Sequence, residues 1–154
     1  MCGIQGCSWN DEALGERMNA VSMHRGPDSK GLESYEHVTL AHNRLAIIDL
    51  SDKASQPMKS SDGRFTITFN GEIYNFKELR RDLQRDGHNF YTWSDTEVIV
   101  HLYEKYGEDC VKYLRGMFAL CVWDSREKRL ILARDRVGIK PLYYCVNNNQ
   151  LVFA

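Results

Sequence analysis

Apolar and polar positions recur along this chain with two distinct periods, and the periods change several times. Between 11 and 22, Leu14, Met18 and Val21 fall at the i, i+4, i+7 spacing of one helical face. That helix is expected to end before "HRGPDSKG" (24–31), whose Gly-Pro-Asp reads as a turn or loop. The stretch "HVTLAHNRLAIIDL" (37–50) predicts one or two short strands with a bend between them. "RFTITFNG" (64–71) alternates cleanly, with Phe65, Ile67 and Phe69 on one face and Thr66 and Thr68 on the other.

Two helices are then signposted in succession. Asn75 can cap the first, Glu78 follows three residues later, and Phe76, Leu79 and Leu83 form a stripe that stops at Gly87. The second opens at "SDTE" (94–97) with the same capping-box spacing and runs through Val98, Ile99, Leu102 and Tyr103 to Gly107. Strand patterns return in "MFALCVWD", a turn at "SREK", "RLILARD", "LYYCV", an Asn-rich turn at 147–149 and "LVFA". Strand-rich ends around paired central helices predict an α+β layered domain rather than a βαβ fold. The chain also stops within its last strand pattern, as expected of a domain cut from something longer.

Composition narrows the class. A length of 154 residues suits one domain with a real core and is short for two. A net charge of −1 with both signs interspersed gives no reason to expect a nucleic-acid partner. No run of about 18 apolar residues exists, so no membrane span is expected. The N-terminus lacks a basic-then-apolar leader pattern, and a cytoplasmic location is the expectation. Five cysteines, an odd count, form no C-x-x-C pair and no Cys/His cluster with zinc spacing, so neither a disulfide framework nor a metal site is expected. Cys121 and Cys145 sit in apolar runs and read as core fillers, and Cys110 as a packing residue. Only Cys2, in "MCGIQG", has an unusual address.

A cysteine exposed at the N-terminus by loss of Met1 would carry a thiol and a free α-amine on one residue. The amine titrates at about 7.7–8.0, so it can take the thiol proton near neutral pH and return it to a leaving group. The alternative is an incidental second-position cysteine. "FNGEIYN" (69–75) admits two readings as well. Asn-Gly is a common hairpin turn, yet a helix follows here, which leaves the Asn70 side chain and the Gly71 N–H as a pair of donors. Such donors around an oxyanion contribute about 3–4 kcal/mol each to lowering a barrier. Glu72 adds an anion beside them. Arg44 is either a surface residue or a fork for a carboxylate. Asp95 is either a first-turn acid favoured by the helix dipole or a partner for an ammonium group. "ARDRVGIKPLYY" (133–144) reads as a structural corner.

Cys2-Gly3-Ile4, "HRGPD", "HNRLAIIDL", "QP" (56–57), "NGEIYN", "SDTEV", "GMFA" (116–119) and "RDRVGIKPLYY" occur in one order. Together they resemble the class II glutamine amidotransferase domain that forms the N-terminal half of glutamine-hydrolysing asparagine synthetases. The resemblance spans the whole chain, 1–154. It implies a four-layer αββα N-terminal-nucleophile hydrolase sandwich with two antiparallel sheets. It implies that Cys2 attacks the side-chain amide of glutamine, with Asn70 and Gly71 as the oxyanion hole. Arg44 would clamp the substrate α-carboxylate, the Leu45, Ile47 and Ile48 segment would line the pocket, and Glu72 and Asp95 would bind the α-ammonium. It further implies ammonia delivery to an ATP- and Mg-dependent synthetase domain in the same or another chain, with aspartate as acceptor and asparagine as product. No phosphate-binding glycine loop occurs here, so this domain itself is expected to need no cofactor. An acceptor that is a sugar, a peptide or another acid, or a non-catalytic partner domain, stays open at this level.

Overall fold

The computed structural model describes residues 1–154. Its elements run β1 (Gly3–Cys7), α1 (Glu12–Ser22), β2 (Ser29–Tyr35), β3 (Val38–Arg44), β4 (Met58–Lys59), β5 (Phe65–Ile73), α2 (Phe76–Arg85), α3 (Asp95–Tyr106), β6 (Gly116–Asp124), β7 (Arg129–Arg134), β8 (Tyr144–Asn147) and β9 (Gln150–Phe153). They form a five-stranded sheet ordered β2-β3-β1-β9-β8 and a four-stranded sheet ordered β4-β5-β6-β7, with every pairing antiparallel.

The period-2 pattern explains the layering. On β5 and β6, Phe65, Ile67, Phe69, Phe118, Leu120 and Val122 face α2 and α3, where they join Leu83, Val98, Ile99 and Leu102 in the main core. The opposite face of β6 presents Cys121 and Trp123 to Val38, Leu40 and Phe153 of the other sheet, a second core between the sheets. Tyr35 and Thr66 share a hydroxyl hydrogen bond of 3.0 Å across that gap. The outer face of β3 turns Thr39 and Asn43 toward α1. Helix, sheet, sheet, helices is therefore the order of layers, as the family resemblance implies.

Local details depart from the sequence reading in instructive ways. Helix α1 does not bury its Leu14–Met18–Val21 stripe: Val21 is exposed, and the buried positions are Gly15 and Asn19. A Cβ on Gly15 would lie 2.4 Å from Leu32 Cδ1, so the helix rides close on the sheet, held by polar bonds. Gln5 Nε2 donates to Asn19 Oδ1 (2.6 Å) and Asn43 Oδ1 (2.8 Å), and Ser22 Oγ donates to Asn43 Oδ1 (2.8 Å). Asn75 does not cap α2 through its side chain. It bridges instead to the segment before β6, donating to Tyr113 O and accepting from Arg115 N. Ser94 caps α3 by accepting from Thr96 N, but Glu97 does not close the capping box. It is fully buried and accepts from Tyr91 N, Thr92 N and the Thr92 hydroxyl. Residues 45–51 form a loop, not a second strand, and Cys145 on the edge strand β8 is exposed rather than a core filler.

The corner at 134–140 is organised by one buried carboxylate. Asp135 accepts from the N–H groups of Phe118 (3.1 Å), Val137 (3.2 Å), Ile139 (2.9 Å) and Lys140 (3.0 Å). Burial alone would raise its pKa, but four backbone donors outweigh that and bring it to about 2. A carboxylate held below its unfolded value adds stability that is complete above about pH 4 and lost as pH falls toward 2. Asp135→Asn is expected to cost about 2 kcal/mol at neutral pH and to flatten that acid limb, read by urea unfolding across a pH series.

Candidate active site

Strand β5 builds one wall of the site through an unfinished edge. Its even-numbered N–H groups face β6, as the continuation of the ladder by Tyr74 N to Arg115 O (2.7 Å) shows. Its odd-numbered N–H groups face the other way, toward β4, which spans only Met58–Lys59. Beyond β4, side chains take over. Phe69 N donates to Gln56 Oε1 (2.6 Å) and Ile73 N donates to Asp95 Oδ2 (3.0 Å). Gly71 N–H lies between these two, on the same edge, with no strand opposite it. A Cβ on Gly71 would lie 2.2 Å from Met117 O, so the close approach of β6 admits only glycine there. The neighbouring Asn70 is buried, and its Oδ1 has no hydrogen-bond partner.

The other sheet supplies the facing wall. Cys2 immediately precedes β1, and the Gly3–Asn43 pairing sets it beside Arg44 and Leu45. Its Sγ accepts from Leu45 N (3.4 Å) and lies 3.7 Å from Leu45 O. Burial pushes the Cys2 thiol up, the Leu45 N–H, the terminal ammonium and Arg44 draw it down, and Asp95 raises it again. Both Arg44 and Asp95 are thus within electrostatic reach of the sulfur. Arg44 is itself buried on the inner face of β3. Its guanidinium donates to Ser51 O (2.9 Å) and to Asp49 O, folding the 45–51 loop back over itself. Asp49 locks the loop's far end, accepting from Ser51 N and from Trp93 N (2.7 Å).

These walls enclose a cavity of about 60 Å³. Every residue singled out from the sequence lines it: Cys2, Arg44, Leu45, Ile47, Ile48, Asn70, Gly71, Glu72 and Asp95. Glu72 is exposed at the rim, whereas Asp95 is buried at the N-terminus of α3. Desolvation is the largest influence on Asp95 and lifts it to about 6, against three backbone N–H donors that lower it. The cavity therefore offers a thiol, an unused backbone N–H, a side-chain amide, a guanidinium and a costly buried carboxylate. A small zwitterion with a reactive carbonyl matches that set.

Sequence reasoning missed three positioning residues. Gln56 bridges β5 to α3, its Nε2 donating to Thr96 Oγ1 (3.2 Å) while Oε1 holds Phe69 N. His42 is fully buried between the sheets with Nε2 3.2 Å from Phe69 O, and burial drops its pKa to about 4, so it is neutral and ties β3 to β5 directly behind the site. Asp49 anchors the loop. All three lie within "HNRLAIIDL" and "QP", stretches conspicuous in the sequence whose individual roles need the tertiary contacts.

This geometry has counterparts. The glutamine amidotransferase domain family matches residues 1–154, and the chain belongs to that family. The asparagine synthetase [glutamine-hydrolyzing] 1 of Bacillus subtilis is 44% identical over the whole chain, which spans 26% of that protein. The asparagine synthetase [glutamine-hydrolyzing] 3 of Arabidopsis thaliana is 49% identical over 93% of the chain, which matches 25% of that protein. The chain thus spans about a quarter of these curated relatives. Among solved structures, glutamine phosphoribosylpyrophosphate amidotransferase from B. subtilis superposes with a TM-score of 0.79 at 20% identity, over 99% of this chain and 41% of that one. The same fold of two antiparallel sheets between helical layers is shared.

The burial of Asp95 has a measurable consequence. Its pKa rises from an ordinary 3.8 to about 6 on folding, so the folded state binds the extra proton between those values and stability falls as pH rises through them. Asp95→Asn removes the charge and keeps an oxygen for Ile73 N. It is expected to stabilise the fold at pH 7 and above by up to about 3 kcal/mol, and not at all below pH 4, in chemical denaturation.

Proposed function

We propose that this chain hydrolyses the side-chain amide of glutamine to glutamate and ammonia at Cys2. The ammonia is then used by an ATP-dependent synthetase domain in the same or another chain to convert aspartate to asparagine. The observation that carries this reading is the convergence on one cavity of the thiol, the Asn70–Gly71 donors and the Arg44–Asp95 charge pair.

Each group then has a task set by its chemistry. With Met1 removed, the α-amine of Cys2 takes the thiol proton through one water, and Sγ attacks the side-chain carbonyl carbon of glutamine. The carbonyl oxygen becomes an oxyanion and is held by the Gly71 N–H and the Asn70 amide. The proton passes to the amide nitrogen, ammonia leaves, and a γ-glutamyl thioester remains. Water attacks the thioester with the amine again as base, and glutamate and the free thiol result. Arg44 and Asp95 hold the α-carboxylate and α-ammonium of the substrate, with Glu72 at the rim. With Met1 present the Cys2 nitrogen is an amide and has no basic lone pair. Met1 also lines the cavity, so its loss both frees the base and widens the site. ATP and Mg would belong to the synthetase domain, where they would activate the acceptor carboxylate; the cavity residues of this chain would serve glutamine.

The names of the relatives, all glutamine-hydrolysing asparagine synthetases, support aspartate as the acceptor. The N-terminal position of the match in those proteins supports a linked synthetase domain.

Met-processed protein is expected to release ammonia from glutamine, and Cys2→Ala to abolish it. A diazo-ketone analogue of glutamine should label Cys2 once, by mass spectrometry. Labelling at another cysteine, or ammonia release surviving in Cys2→Ala, would overturn the reading. Asn70→Ala is expected to lower kcat by about 100- to 1000-fold with a smaller change in KM. Because Asp95 titrates at about 6, KM for glutamine should climb as pH falls below 6. In Asp95→Asn, KM should be high at every pH.

A further inference from the structure

Away from the cavity, the turn after α2 and helix α3 bring three potential ligand atoms to one point. His88 Nδ1 lies 3.2 Å from His101 Nδ1, His101 Nδ1 lies 2.7 Å from Glu104 Oε2, and His88 Nδ1 lies 3.5 Å from that same oxygen. We propose that His88, His101 and Glu104 form a binding site for one tetrahedral divalent metal ion of the zinc class.

Three observations carry this. The first is spacing. Ligands about 2.0–2.1 Å from a tetrahedral zinc stand about 3.3 Å apart, so the triangle of 3.2, 2.7 and 3.5 Å is close to one face of that tetrahedron. The second is proton bookkeeping. A neutral imidazole carries one N–H, and the Nδ1 of His101 is asked to face both a carboxylate and the Nδ1 of another imidazole. One proton cannot serve both contacts well, whereas a cation among the three lone pairs serves them all. The third is the buried far side of His101. Its Nε2 is buried with no hydrogen-bond partner and lies 3.7 Å from Oε1 of the fully buried Glu97. A carboxylate facing the free nitrogen of a histidine ligand is the usual outer-shell arrangement of zinc sites; a metal on Nδ1 would place the ring proton on Nε2, on the side of Glu97.

The ligands are rigidly delivered. His101 and Glu104 are at i, i+3 on α3 and share one face. His88 follows the Gly87 turn (φ +95°) that closes α2. There Gly87 N donates to Gln84 O (3.1 Å) and His88 N to Leu83 O (3.0 Å), the paired bonds of a Schellman cap. The Phe90 ring stands edge-on to His101 with centroids 4.5 Å apart and shields one side. His88 and Glu104 stay about a fifth exposed, which leaves access for the ion and for water as fourth ligand. The sequence shows no C-x-x-C pair and no Cys/His cluster with zinc spacing, and on that basis it predicts no metal site. This triad joins two elements 13 positions apart and has no such spacing.

The test uses full-length protein on a Cys2→Ser, Cys145→Ser background, so that accessible thiols do not compete, after removal of metal with a chelator. Titration with zinc by calorimetry is expected to give one ion per chain. Cobalt is expected to show the ligand-field absorption of a tetrahedral N/O site with no thiolate charge-transfer band. His88→Gln and Glu104→Gln, both partly exposed and checked for folding by circular dichroism, should each weaken binding more than about 100-fold, beyond the loss that outer-shell partners cause. Zinc should raise Tm in the parent and not in either variant. No saturable binding at micromolar zinc, equal binding in parent and variants, or an octahedral cobalt spectrum would each overturn the assignment.

Discussion

A strand that loses its neighbour part-way along its length must do something with the N–H groups left over, and the candidate site is built on that requirement. Strand β4 pairs with β5 for two residues only, yet β5 continues for six more beyond Ile67. Its odd-numbered N–H groups at 69, 71 and 73 all leave on the abandoned edge. Unpaired and buried, each would cost about 1–3 kcal/mol. Gln56 satisfies the first and Asp95 the third, and both residues thereby reach the cavity. The middle one is given to no protein group. The hydrogen bonds along one sheet edge thus leave a preorganised donor flanked by two side chains that line the cavity. Because Gly71 is pressed against Met117 O, the donor cannot be covered by a side chain of its own residue.

The electrostatics follow the same economy. Arg44 spends two of its five donors on the carbonyls of Asp49 and Ser51, which fixes the guanidinium and shapes the 45–51 loop at once. The remaining donors are available to a ligand carboxylate. Asp95 is in the reverse condition: its one protein hydrogen bond from a distant residue, Ile73 N, does not offset the desolvation of its charge. A buried carboxylate that is under-solvated in the free protein gains most from an arriving ammonium, so the group proposed to hold the substrate is also a stability liability.

Most of the architecture was legible in the chain, for reasons that can be named. Phe65, Ile67 and Phe69 against Thr66 and Thr68 define a strand with two unlike faces. The stripe from Val98 to Tyr103 marks a helix with a core-facing side, and the fold buries its other faces there as well. Cys2, Arg44, Asn70–Gly71 and Asp95 stood out because their residue types matched a recognisable order of motifs. What could not be read were contacts that close across the sandwich. Nothing local tells His42 that its partner is Phe69 O, or Gln56 that it will stand in for a missing strand. Helix α1 misled for a related reason. Its apolar periodicity suggested a greasy seat, whereas Gly15 and Asn19 make the contact through close approach and amide bonds, signals that hydrophobic pattern alone assigns to the wrong face.

Helix α3 links these regions mechanically. Residues 95–103 are buried without interruption, which is unusual for a helix on an outer layer and means that it is clamped on every side. At its N-terminus Asp95 reaches the cavity. In its first turn Glu97 gathers Tyr91 N and Thr92 N and thereby fixes the loop that ends at Trp93, whose N–H in turn holds Asp49 and the loop over Arg44. His101, six residues or about 9 Å beyond Asp95 along the axis, contacts the end of α2. The zwitterion proposed as substrate needs partners for its two charges at a fixed separation. Here that separation is set by one chain of bonds, from Asp95 through α3, Glu97, Thr92–Trp93 and Asp49 to Arg44. A perturbation anywhere along this chain changes the distance between the two charges, even where it touches neither.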